Sequence, residues 1–94
     1  MAEEQNRLAP AAPIPLARLE SDFAAFYRRE LASMVALATA IAGPGRAEDI
    51  AQEAMIQAHR RWSEVAVYDK PGAWLRRVTT NLAVFSIDWT DLQL

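Results

Sequence analysis

The 94-residue sequence contains no cysteine, which excludes a disulfide framework, a thiolate metal site and a thiol nucleophile. It has one histidine, His59. No serine or aspartate stands in a recognisable triad pattern with it, and a carboxylate-bridged metal site in a helical bundle requires paired Glu-x-x-His motifs. No enzyme activity, cofactor or metal is therefore expected. No apolar run approaches the roughly 20 residues that a membrane span needs. The N-terminus opens with Glu3 and Glu4 and is then broken by prolines, unlike a secretory signal. A cytoplasmic location is expected. Positive charge is also scarce: ten lysines and arginines face twelve carboxylates, a formal net charge of −2. The surface is thus not a generic polycation for nucleic acid. A local excess exists only in residues 65 to 84, where Lys70, Arg76 and Arg77 stand against Asp69.

What the chain does have is helical periodicity. Just over half of its residues are hydrophobic, but many are alanine, which buries little area. One small domain is expected, only marginally stable alone. Residues 1 to 18 read as a flexible Ala/Pro-rich arm, because Ala-Pro-Ala-Ala-Pro-Ile-Pro favours polyproline II. A helical domain over 19–84 and a tail over 85–94 follow.

The spacing predicts a first helix over residues 21 to 42, with Ser21 as N-cap and Phe23, Phe26, Tyr27, Leu31, Met34, Ala38 and Ile41 repeating along one stripe. Gly43-Pro44-Gly45 ends it. A second helix is predicted over 47 to 63. A third begins at Pro71 with Asp69 as a candidate cap, and Trp74, Leu75, Val78 and Leu82 share its face. Phe85, Trp89 and Leu92 continue that stripe, so the third helix is expected to extend to about residue 92. The fold class is all-α: a three-helix antiparallel bundle whose third helix runs on to the C-terminus.

The second helix is the most informative. Ala47, Ile50, Ala51, Ala54, Ala58 and Trp62 form its apolar stripe. The opposite face carries Asp49, Gln52, Glu53, His59 and Arg60, with Ile56 in their midst. An aliphatic residue ringed by carboxylates and an amide has the composition of an interface patch, an apolar centre with a polar rim. Lone exposed apolar residues are also ordinary on protein surfaces, and periodicity alone leaves both readings open. Asp49 and Glu53, at i and i+4, are better read as a solvated or partner-facing pair than as a cation site. Trp62 and Trp74 lie on apolar stripes and read as core.

Residues 47 to 60, Ala-Glu-Asp-Ile-Ala-Gln-Glu-Ala-Met-Ile-Gln-Ala-His-Arg, resemble the core-polymerase-binding helix of bacterial sigma factors of the extracytoplasmic-function (ECF) group. Met55 replaces the group's usual aromatic, and His59 its usual Trp or Tyr. Asp22-Phe23-x-x-Phe26-Tyr27-Arg28 is similar to the family's opening helix. Trp74-Leu75-x-x-Val78-x-x-Asn81-Leu82-Ala83 is similar to its Trp-Leu-x-x-(Ile/Val)-Ala-x-Asn-x-Ala segment. The three segments occur in order and at matching separations.

The resemblance implies conserved region 2 of a sigma factor acting in transcription initiation. It carries docking on a coiled coil in the clamp of the largest subunit of core RNA polymerase to Asp49, Gln52 and Glu53. Ile56, His59 and Arg60 join them by position on the same face. It also implies contact with the non-template strand of the minus-ten promoter element and melting of that element. By position, the candidates are Tyr68, Lys70, Arg76, Arg77, Thr80 and Asn81. An anti-sigma protein is a further implied partner.

The tail departs from the family. Where the family becomes arginine-rich and leads to a helix-turn-helix domain, known as region 4, this sequence has Phe85-Ser86-Ile87-Asp88-Trp89-Thr90-Asp91-Leu92-Gln93-Leu94. Asp88 and Asp91 oppose phosphate contact there. A fragment of a longer sigma factor, a short variant occupying polymerase without reading promoters, and a tail acting as a separate interaction element all fit. Under the second, the chain is a protein-interaction module, a decoy for polymerase or an anti-sigma factor, without DNA-binding activity. Phe85, Trp89 and Leu92 form either a partner-groove triplet or, as their register with Trp74 and Val78 favours, intramolecular packing.

Overall fold

The computed structural model describes residues 15 to 87, which form four helices: α1 (Leu16–Ala42), α2 (Pro44–Arg60), the single turn α3 (Trp62–Val65) and α4 (Pro71–Phe85). The three long helices run up, down and up. Phe23 of α1 lies against His59 of α2, and Tyr27 against Gln52, the register of an antiparallel pair. Arg46 near the start of α2 donates to the Ser86 carbonyl at the end of α4, so those two are antiparallel as well.

Helix α1 starts earlier than the periodicity suggests. The Pro15 carbonyl accepts from the backbone N–H groups of Arg18 and Leu19, both at 3.0 Å. Ser21 is therefore an interior residue and not the cap. Proline ahead of the first turn blocks nothing, the segment after it consists of good helix formers, and Leu19 packs on the core. The helix starts inside the stretch assigned to the arm. The connection from α1 to α2 is Gly43 alone, at φ 87°, where a side chain is strained. Its N–H bonds the Thr39 carbonyl at 2.9 Å. Pro44 already occupies the first turn of α2.

The second helix also ends sooner than expected. Arg61, at φ −114° and ψ 20°, interrupts it, and α3 follows directly. Both Trp62 and Val65 of that turn are buried in the core. Asp69 caps nothing; Lys70 holds the N-cap position of α4, without a side-chain hydrogen bond.

The core has two adjoining parts. The larger joins Phe26, Met34, Ala51, Ala54, Met55, Ala58, Trp62, Val65 and Leu75; the smaller joins Ala38, Ala47, Ile50 and Ala83. Alanines of α2 and aromatics of α1 pack into the larger part together. Phe26 and Trp62 lie 4.9 Å apart by ring centroids, and Phe23 meets Trp62 edge-on at 5.4 Å. In α4 the fully buried line is Leu75, Thr79 and Ala83, with Trp74, Val78 and Leu82 half-buried beside it. Thr79 is tolerated there because its hydroxyl donates to the Leu75 carbonyl at 2.9 Å and lies 3.1 Å from the Met34 sulfur. A Cβ at Gly72 would stand 2.6 Å from Oε1 of Glu30 on α1, the tip of a flexible side chain that can move aside.

The expected continuation of the third helix to residue 92 is corrected at Phe85. Ser86 and Ile87 form a closing turn, with the Ser86 hydroxyl donating to the Ala83 carbonyl at 2.8 Å and the Ile87 N–H reaching Val84. Phe85 is 84% exposed and does not pack on the described helices, so the packing reading fails at this one residue of its triplet. It sits at the end where α1 finishes and α2 begins, and among the described residues no helix extends alongside it. Trp89 and Leu92 lie outside the described residues.

Candidate functional site

Helix α2 divides its residues sharply. Ala47, Ile50, Ala51, Ala54, Met55 and Ala58 are buried, while Asp49, Gln52, Glu53, Ile56, His59 and Arg60 are all exposed. The exposed set forms a ridge along the helix, with Ile56, 42% exposed, near its middle. Burial of the alanine stripe fixes the rotation of the helix, and that rotation points the ridge outward.

Two grooves flank the ridge. One, of about 250 Å³, lies between α1 and α2 and is lined by Phe23, Tyr27, Gln52, Met55, Ile56, His59 and Arg60. The other, of about 290 Å³, lies between α2 and α4 and is lined by Arg46, Asp49, Ile50, Glu53, Leu82 and Ser86. Each has an apolar floor and a charged or polar rim. The ridge with its flanks can therefore seat elongated, complementary elements such as helices, with carboxylates available to cationic side chains.

Sequence reasoning missed three contributors. Phe23 contacts the His59 ring edge-on at 4.9 Å, and the Gln52 amide donates to the Tyr27 hydroxyl at 2.8 Å. Both aromatics belong to the opening-helix motif and were assigned to the core stripe; their half-burial is what leaves an edge facing the groove. Met55, the buried residue next to Ile56, was also missed, because it lies at the border of the alanine stripe.

The second group of candidates lies on another part of the surface. Arg76, Arg77 and Asn81 are exposed along α4, Thr80 is half-buried, and Lys70 is exposed at the start of the helix. At helical spacing, Ala73, Arg77, Asn81 and Val84 form one outward strip. In the connection before α4, Val65 is fully buried and Val67 is 70% exposed. Tyr68 is half-buried, with its ring 6.1 Å from Trp74. Arg61 stands over the other participant in that contact, 5.8 Å from the Trp74 ring centroid, while bonding Glu64 at 3.1 Å. This corner offers an aromatic pair, cations and an amide on one continuous length of chain.

A family model, sigma-70 region 2, matches residues 26–87. The match covers well over half of the sequence. The chain belongs to the sigma-70 region 2 family. No curated protein and no solved structure compared with the chain gives a match. Sigma region 2 is a helical, non-enzymatic domain of transcription initiation, and its partners are core RNA polymerase and promoter DNA. The bundle of this sigma domain agrees with that fold. Among the described residues, no helix is long and apolar enough to cross a membrane.

Proposed function

We propose that this sigma domain is of the ECF group and acts in the cytoplasm. In this reading it docks on the clamp coiled coil of the largest polymerase subunit through the α2 ridge. The supporting observation is the ridge itself: an exposed Ile56 bordered by Asp49, Gln52, Glu53, His59 and Arg60 and set between two grooves. Carboxylates there can pair with partner arginines, and Ile56 supplies the apolar centre that a docking patch needs. The strip of Arg77 and Asn81, with Arg76, Thr80, Lys70 and Tyr68 nearby, contributes to capture of the non-template minus-ten strand. Cations track the backbone, an aromatic face stacks on a base, and an amide reads a base edge. Strand separation is then driven by binding energy, with no covalent chemistry. An anti-sigma protein covering the same ridge is the regulatory partner this reading implies.

The test pairs two measurements. Asp49→Ala combined with Gln52→Ala should abolish capture of core RNA polymerase. Binding of a single-stranded minus-ten oligonucleotide to the polymerase-bound domain should weaken with salt. Arg77→Ala should flatten that salt dependence by about 0.7 in log–log slope, the effect of one lost phosphate contact on a single strand. Asn81→Ala should weaken binding without changing the slope. Polymerase binding without oligonucleotide binding would assign the domain as a protein-interaction module, a polymerase or anti-sigma decoy. Loss of neither partner in the ridge variant would refute the docking reading.

A further inference from the structure

We infer that Tyr27 is a positioning residue of the docking ridge, holding the Gln52 amide in the orientation that the polymerase meets; this rests on the docking reading above. Gln52 is exposed on α2 and, unrestrained, would sample many rotamers. Its Nε2 instead donates to the Tyr27 hydroxyl at 2.8 Å, from a different helix. The restraint works because the tyrosine is anchored. Its ring is half-buried and tilted 6.2 Å from Phe23, which in turn is held by Trp62 at 5.4 Å and by His59 at 4.9 Å. A rigid aromatic fixed at its base therefore braces a flexible amide at its tip.

The bond has a second consequence. With one amide hydrogen engaged, Gln52 keeps its carbonyl oxygen and its other N–H for a partner, and the tyrosine proton is available as a further donor. Tyr27 and Gln52 both line the groove beside Ile56, so the brace also sets the shape of that wall. An exposed hydrogen bond between two helices contributes little to stability, because water replaces it readily. Pre-ordering a side chain for association has a larger effect, since immobilising a rotamer-rich group otherwise weakens binding by roughly two- to tenfold.

Tyr27→Phe removes a single oxygen and leaves the ring packing intact. The affinity of the full chain for core RNA polymerase should fall roughly two- to tenfold, with the thermal midpoint nearly unchanged. The Gln52 side-chain amide should become more mobile by NMR relaxation. In a double-mutant cycle, Tyr27→Phe should add no further loss on a Gln52→Ala background, because the tyrosine acts through the amide. Wild-type affinity in Tyr27→Phe, alongside weakened binding in Gln52→Ala, would overturn the positioning role alone. An equal loss from Tyr27→Phe with and without Gln52 would also overturn it, making the hydroxyl a direct contact. Full affinity in Gln52→Ala and in the Asp49→Ala, Gln52→Ala variant would overturn the docking reading and this inference with it.

Discussion

Truncating Ile56 to alanine isolates the apolar centre of the ridge. Ile56 keeps 42% of its accessible surface in the free domain. Burying a whole isoleucine side chain is worth roughly 1.5–3 kcal/mol, so covering the remaining fraction contributes roughly 0.6–1.3 kcal/mol to docking. At about 1.4 kcal/mol per decade, Ile56→Ala should weaken binding to core RNA polymerase by roughly three- to ninefold. The loss should be the same at low and high salt, because it is apolar, whereas Asp49→Ala should matter less as salt rises. Titration by fluorescence anisotropy reads the affinity, and thermal melting by circular dichroism separates docking from folding. Val67→Ala is the control. Val67 is 70% exposed, a larger free fraction than Ile56 has, but it lies in the connection between α3 and α4. If general stickiness drove association, Val67→Ala would weaken binding at least as much. Undiminished affinity in Ile56→Ala, or an equal loss in Val67→Ala, would refute the reasoning.

Three further predictions concern the frame that holds the ridge. Met34→Ala should destabilise by about 2–5 kcal/mol through a core cavity, whereas Thr79→Val should change stability by less than about 1 kcal/mol, because the Leu75 carbonyl is within the α4 hydrogen-bonding ladder; denaturant melts distinguish them. Gly43→Ala should lower stability by about 1–3 kcal/mol through its backbone conformation alone, since φ 87° with ψ 164° is a region essentially confined to glycine while a Cβ there would meet nothing within 4 Å, and the same melts measure it. Gly72→Ala should be close to neutral, its helix-propensity gain of at most about 1 kcal/mol opposed by displacement of Glu30. The same change on a Glu30→Ala background should be clearly stabilising.

Much of the bundle could be read from spacing. Every residue of the predicted α2 stripe is buried, and the α1 stripe supplies Phe26, Met34 and Ala38 to the core. Helix ends were the weak point. Ser21 has the chemistry of a cap, but Leu19 gains burial if the helix starts before it, and that contact is invisible in sequence. Thr79 was passed over because a threonine on an apolar line breaks the pattern; its hydroxyl is satisfied within its own helix and against Met34. Phe85 was over-read, since periodicity says which face a residue takes and not whether another helix lies opposite it.

Periodicity and composition settled the helical class, the buried face of α2 and therefore the outward direction of Asp49, Gln52, Glu53 and Ile56, because one residue in each hundred degrees of turn leaves little freedom once the alanines are inside. Only the packing of α1 on α2 decided that Tyr27 braces Gln52 and that Phe23 abuts His59, residues 25 and 36 positions apart in the chain. Such pairings depend on helix rotation, crossing and register together. A local repeat fixes the first and carries no information on the other two.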